Sequence, residues 1–77
     1  MAKMRLMKPG HGDLCVAEWD VDKEESVEAA EEAFRAHVTA GRLAFRTDPA
    51  RPGFSEPVFN FDKYLEEILI VPAITGG

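Results

Sequence analysis

The residues of this sequence best suited to chemistry are the two glycines at its end. Gly76 and Gly77 follow an apolar run and Pro72, in the segment EEILIVPAITGG. A carboxylate on consecutive glycines has no side chain beside it, and glycine accepts extended and positive-φ backbone conformations alike. Such an end fits a narrow channel and leaves its carbonyl carbon open to attack. We therefore expect a tail that enters the active site of another protein.

The rest of the sequence offers little that would catalyse a reaction. It has no glycine-rich phosphate loop, no paired cysteine clusters and no evident Ser/His/Asp set. His11 and His37 alone are too few for a metal site, so we expect none. Cys15 is interpreted as a small buried residue within a strand. This pattern is typical of a substrate or carrier, not of an enzyme.

Length and charge limit the partners. A chain of 77 residues forms one domain with a small core. Its formal net charge of −5 repels nucleic-acid backbones and anionic membrane surfaces. No apolar stretch approaches the roughly 18 residues that span a bilayer, and a single cysteine agrees with a reducing compartment. We expect a cytoplasmic protein, monomeric when free, that binds neither nucleic acid nor membrane.

Two short strands are predicted before the main helix. KMRLM and LCVAEWD flank KPGHGD, whose proline, glycines and aspartate favour a turn. In the second strand, one of two alternating sets of side chains must line the core. We assign the core to the set without a charge, which is Cys15, Ala17 and Trp19.

One long helix is predicted across VDKEESVEAAEEAFRAHVTAG. Asp22 and Glu25 are spaced as a capping box, and Gly41 suits the left-handed position after the last turn. An apolar stripe recurs at helical spacing: Val27, Ala30, Phe34 and Val38. The exposed face is acidic and would steer the domain toward a basic partner: Glu24, Glu25, Glu28, Glu31 and Glu32.

Three more segments complete the pattern. RLAFRT predicts a strand with Leu43 and Phe45 on one face, and we place Phe45 in the core. EPVFNF predicts a further strand, and Pro57 at its start indicates either a sheet edge or a strand that is just beginning. FDKYLEE is long enough for a single helical or 3₁₀ turn. ILIV, apolar at every position, predicts a strand that is covered on both sides or lies at the centre of a sheet. Phe54 lies among polar and turn residues, so we expect it to be exposed and to contact a partner.

These elements predict an α+β fold with a mixed sheet of about four to five strands and one main helix packed on one face. Because hairpins bracket the helix, the first and last strands should pair at the centre, with residues 67–71 beside residues 4–7. The domain is expected to span 1–72, followed by a flexible tail at 73–77.

This order of elements and the ending EEILIVPAITGG resemble the ubiquitin-like β-grasp superfamily. The ending is similar to that of the sulfur carriers of molybdopterin and thiamine biosynthesis. In those proteins an acidic residue, a buried strand, proline and small residues precede Gly-Gly. This sequence departs from them in two respects: Ala73 stands where a second proline is usual, and the DPARPGFSEP loop is longer.

The resemblance implies that an E1-like adenylating enzyme activates the Gly77 carboxylate. The carboxylate attacks the α-phosphorus of ATP and pyrophosphate leaves, so ATP is used by the enzyme while the chain itself carries no cofactor. Further implied partners are an E2-like transferase, a JAB-type peptidase and a target protein. The residues expected to enter or contact a partner are Phe54, Pro72, Ala73, Ile74, Thr75, Gly76 and Gly77.

Three functions stay open. The first is a protein modifier transferred through a thioester to a target amine, which the missing second proline favours. The second is a sulfur carrier that forms a C-terminal thiocarboxylate. The third is an interaction or assembly module whose glycines are never activated, similar to phage tail-assembly proteins, in which a β-grasp domain has a comparable ending but the chain normally continues beyond it.

Overall fold

A computed structural model describes residues 1–8 and 12–72 of the chain. The elements in this part follow the predicted order: β1 (Ala2–Lys8), β2 (Gly12–Trp19), α1 (Glu24–Thr39), β3 (Leu43–Thr47), β4 (Ser55–Pro57) and β5 (Glu67–Val71). The segment FDKYLEE forms a turn and not a helix. Leu65 N donates to Asp62 O at 3.2 Å, and the Asp62 carboxylate accepts from Tyr64 N at 2.9 Å.

The strands form one mixed sheet in the order β2-β1-β5-β3-β4. β1 and β5 are parallel neighbours with Lys3 opposite Glu67 and Leu6 opposite Ile70, while every other pair is antiparallel. The predicted pairing of the first and last strands is confirmed. β4 is a short strand at the edge of the sheet, so the expected edge position of Pro57 is confirmed. The predicted extent of the EPVFNF strand is wrong, because β4 ends at Pro57 and residues 58–61 lie outside it.

The core lies between α1 and one face of the sheet. Met4, Ile68 and Ile70 project toward the helix because residues at alternate positions share a face. The ring of Trp19 packs edge-on against Phe61 with centroids 5.2 Å apart, and its Nε1–H donates to Lys63 O at 2.9 Å. The buried apolar residues are Met4, Trp19, Ala30, Phe34, Ala44, Ile68 and Ile70.

A bulge in β2 corrects the predicted face of Cys15. Met4 pairs with Ala17 but Arg5 pairs with Cys15, so Val16 is an extra residue between them. An inserted residue reverses the alternation of side chains. Ala17 and Trp19 therefore face the core as predicted, whereas Cys15 is exposed on the opposite face beside Arg5.

The predicted start of α1 is wrong, whereas its predicted end is confirmed. The predicted capping box is wrong, because the helix begins at Glu24 after Lys23, and no side chain caps it. Asp22 instead lies in a turn in which its N–H donates to the Asp20 carboxylate at 3.0 Å. At the other end Gly41 has φ of +91°, and its predicted left-handed conformation is confirmed.

The face of the sheet opposite α1 has no element packed on it among the described residues; we call it the open face. No helix in residues 1–8 and 12–72 is both long enough and apolar enough to cross a bilayer.

Candidate functional site

Of the residues predicted to enter or contact a partner, the structure describes Pro72 and Phe54. Pro72 follows β5 directly and is half-buried, and Phe54 precedes β4. The remaining predicted tail residues lie outside the described residues: Ala73, Ile74, Thr75, Gly76 and Gly77.

The chain reaches Pro72 along a strand that is paired on both sides. β5 is hydrogen-bonded to β1 on one side and to β3 on the other. Ile68 and Ile70 are fully buried against the helix. Since Leu43 pairs with Val71, the sheet holds β5 up to the residue before Pro72. The residues after Pro72 are therefore attached to a strand that the sheet holds in place on both sides.

Four apolar side chains lie together on the open face near this end of β5. Ala44 and Ile70 face the core, so alternation places their neighbours on the other side of the sheet. Cross-strand pairing then sets these neighbours side by side. We call the group the open-face cluster: Leu43, Phe45, Leu69 and Val71.

The open-face cluster is only partly shielded from solvent. Leu43 is 54% exposed, while the other three side chains are half-buried. Phe45 was expected in the core and instead lies on the open face, because Ala44 occupies the position that faces the helix. The cluster is a contiguous apolar group at the end of β5, where the chain continues to Pro72. Surfaces of this kind are used by proteins to bind other proteins.

A buried carboxylate, that of Glu67, lies on the open face at the other end of β5. Glu67 is 6% exposed. One of its oxygens accepts hydrogen bonds from Arg5 Nη2, at 2.8 Å, and from the Thr47 hydroxyl. Lys3 Nζ lies 3.9 Å from the second oxygen, and Arg5 also pairs with Asp13 at 3.1 Å. Glu67 thus links β1, β5 and β3 by polar contacts, and its oxygens are already engaged.

Phe54 is half-buried and not openly exposed. Its ring is flanked by two guanidinium groups, with the central carbon of Arg51 at 4.2 Å from the ring centre and that of Arg46 at 5.4 Å. Guanidinium groups stack on aromatic faces by cation–π attraction. A partner that contacts Phe54 would therefore meet these two arginines as well.

Of the two histidines, the structure describes only His37. His11 lies outside the described residues, and His37 lies in the last turn of α1 with Arg42 Nη1 at 3.3 Å from its Nδ1. Burial, and secondarily the charge of Arg42, lower the pKa of His37. Across residues 1–8 and 12–72, no three His, Cys, Asp or Glu side chains gather as metal ligands would.

The sequence analysis missed the open-face cluster and the two arginines around Phe54. The alternation in RLAFRT already placed Leu43 and Phe45 on one face, but it did not show which face the helix covers. The spacing of Arg46 and Arg51 carried no signal, because the turns of the intervening loop bring them to the same ring.

No protein-family model matches this chain, and no curated protein or solved structure shows significant similarity to it.

Proposed function

We propose that this chain is a ubiquitin-like β-grasp protein modifier. In this proposal an E1-like enzyme adenylates the Gly77 carboxylate, which is then conjugated to a target amine via a thioester. The observation that supports it most is the strand order β2-β1-β5-β3-β4, with a parallel central pair and one helix across one face. This is the arrangement that the resemblance of the sequence to β-grasp proteins implies.

The chemistry needs an activating partner because a free carboxylate is a poor acyl donor. In the proposed sequence the Gly77 carboxylate attacks the α-phosphorus of ATP, and pyrophosphate leaves. A thiolate of the enzyme then displaces AMP and forms a thioester. The target amine attacks the thioester carbonyl, an amide forms and the thiolate is released. ATP and reduced thiols are both available in the cytoplasm, where we place the reaction.

The length of the tail determines where the enzyme must bind. Five extended residues, the number in 73–77, reach at most about 17 Å. An active site that receives Gly77 therefore lies close to the end of β5. The open-face cluster, which includes Val71 and its pair Leu43, is the apolar surface nearest to that end. We propose that the adenylating enzyme docks there.

The experiment combines the purified chain, ending at Gly77, with ATP and the E1-like enzyme of the same cells. We expect ATP–pyrophosphate exchange and a thiol-sensitive enzyme adduct. Deleting Gly76 and Gly77, or changing Gly77→Val, should abolish both signals while the circular dichroism spectrum and the unfolding midpoint stay unchanged.

Other outcomes identify the alternatives. Intact mass analysis of the chain from its own cells would show exchange of oxygen for sulfur at Gly77 if the chain is a sulfur carrier. Linkage to an amine supports the modifier. An unmodified carboxylate in every fraction, with no exchange activity, contradicts activation and favours an assembly module.

A further inference from the structure

The β3–β4 connection forms a small cleft in which the side chains of two arginines lie near one phenylalanine ring. The cleft has a volume of about 230 Å³. We call the group of Arg46, Arg51 and Phe54 the arginine cleft. Thr47, Asp48, Leu65 and Glu66 complete its lining.

The turns of the loop bring Arg51 to Phe54. Arg51 N donates to Asp48 O at 3.0 Å, and Phe54 N donates to Arg51 O at 3.0 Å. The Asp48 carboxylate accepts from Ala50 N at 2.9 Å, and Gly53 takes φ of +86°, which favours glycine. Successive turns therefore fix the loop backbone and bring the Arg51 guanidinium to the Phe54 ring.

The Arg51 guanidinium lies near the Phe54 ring, with its central carbon 4.2 Å from the ring centre. A cation–π contact of this kind uses none of the five N–H donors in a conventional hydrogen bond. Arg51 makes no salt bridge to any residue in 1–8 and 12–72. Arg46 Nε is buried and has no acceptor in the same part of the chain. The cleft thus holds more oriented donors than acceptors.

Three carboxylates lie at or beside the cleft, and an anion must compete with them. Glu56 Oε1 lies 3.3 Å from Arg46 Nη2, where the two side chains are 53% and 42% exposed. Such an exposed pair is weak and readily exchanged. Glu66 lines the cleft and is exposed, and Asp48 is engaged by Ala50. An entering oxyanion must therefore replace Glu56 at Arg46, whereas Arg51 has no salt bridge to give up within the described part of the chain.

We propose that the arginine cleft binds an oxyanion, a phosphate or a carboxylate group of a small molecule, through the guanidinium groups of Arg51 and Arg46. Planar guanidinium groups match both groups by two parallel hydrogen bonds. Binding displaces the Glu56 carboxylate from Arg46. This proposal does not depend on activation of Gly77.

The test is a titration of the full chain followed by NMR of backbone amides and arginine Nε–H groups. Inorganic phosphate and glutarate are added separately, and sodium chloride keeps the ionic strength constant. We expect saturable shifts confined to Arg46, Arg51 and Phe54. Saturation by phosphate alone, by glutarate alone or by both supports the site and assigns the chemistry that it takes.

Variants define the roles of the side chains. Arg51→Gln should weaken binding about tenfold, the loss typical of a charge-assisted hydrogen bond. Arg51→Lys should also weaken it, because an ammonium group cannot form the paired contact. Glu56→Gln should tighten binding. Arg35→Gln, which removes an exposed arginine on α1, should leave it unchanged.

Three results would overturn the proposal. They are equal shifts with sodium chloride alone, unchanged binding in Arg51→Gln, and the absence of saturation with both anions.

Discussion

At the scale of single residues, Glu67 is the charged group most deeply placed in the sheet. Its carboxylate is 6% exposed and contacts Arg5, Lys3 and Thr47, which belong to two neighbouring strands. A buried charge is tolerated only when hydrogen bonds and opposite charges replace its water. The network therefore holds the register of β1, β5 and β3 at the edge of the open face.

Replacing Glu67 by glutamine should destabilise the fold. The amide has the same size but no negative charge, so the ion pairs of Glu67 with Arg5 and Lys3 are lost. We expect the free energy of unfolding to fall by about 2 kcal/mol, measured by urea denaturation. Glu32→Gln is the matched control, because Glu32 is exposed, and it should change stability by less than about 0.5 kcal/mol. Equal effects of the two substitutions would contradict the structural role of Glu67.

His37 should make the stability depend on pH. Burial and the nearby Arg42 charge lower its pKa below the ordinary value of 6.5, so the unfolded chain binds the proton more readily. Stability rises with pH wherever the unfolded state binds more protons. The contribution of His37 is therefore fully present above about pH 6.5 and is lost as the pH falls through the lower pKa of the folded state.

Urea denaturation at a series of pH values tests this dependence. His37→Gln should reduce the loss of stability between about pH 7 and pH 5.5, where the effect of the aspartates and glutamates is still small. NMR titration of the folded chain, with the His37 signal assigned from this variant, should give a pKa below 6.5. A value at or above 6.5 would show that the environment of His37 does not disfavour the proton.

At the scale of elements, the C-terminus of α1 follows a local rule: a glycine in the left-handed conformation ends the helix. Gly41 N donates to Val38 O at 3.0 Å and Arg42 N donates to His37 O at 3.1 Å. This pair of bonds is the Schellman motif, which requires a left-handed residue after the helix. It ends α1 and directs the chain into β3.

Gly41→Ala tests the cost of that conformation alone. A Cβ at position 41 would meet no atom within 4 Å, so no steric clash with other residues contributes. We expect a loss of about 1–2 kcal/mol in the free energy of unfolding, because left-handed backbone is costly for L-residues with a Cβ. Gly41→Asn should lose less, since asparagine tolerates this region. If alanine and asparagine are equally destabilising, the left-handed conformation is not the cause.

At the scale of the whole molecule, α1 covers one face of the sheet and leaves the open face available. The open-face cluster and Glu67 both lie on that available side, next to the strand from which the proposed tail departs. The exposed acidic residues of α1 lie on the other side. A partner that approaches β5 from the open face would therefore meet apolar side chains first.

Substitution of Leu43 tests this orientation. Leu43→Glu adds a charge to the open-face cluster and should raise the KM of the adenylating enzyme for the chain by about tenfold or more. Folding should persist, since Leu43 is 54% exposed. The matched control is Phe59→Glu, which places the same charge at an 83% exposed side chain bordering a groove with Phe34 and Val38 of α1. An equal rise in KM for both variants would contradict docking on the open face.

Much of the fold follows from local patterns that are visible in the sequence. The apolar run ILIV, the stripe through Ala30 and Phe34, and Gly41 each require a particular local structure because burial or backbone sterics act within a few residues. The central pairing of β1 with β5 was also predictable, since only a central position buries so apolar a strand.

Where the sequence was insufficient, the deciding interaction came from residues distant along the chain. Cys15 faces outward because a bulge at Val16 adjusts β2 to β1, and Phe45 lies on the open face because Ala44 fits under the helix. The residues of the arginine cleft are brought together by β3 and the loop that follows it. Alternation tells which side chains share a face, but only the packing of α1 decides which face is buried, because burial depends on contacts between separate elements.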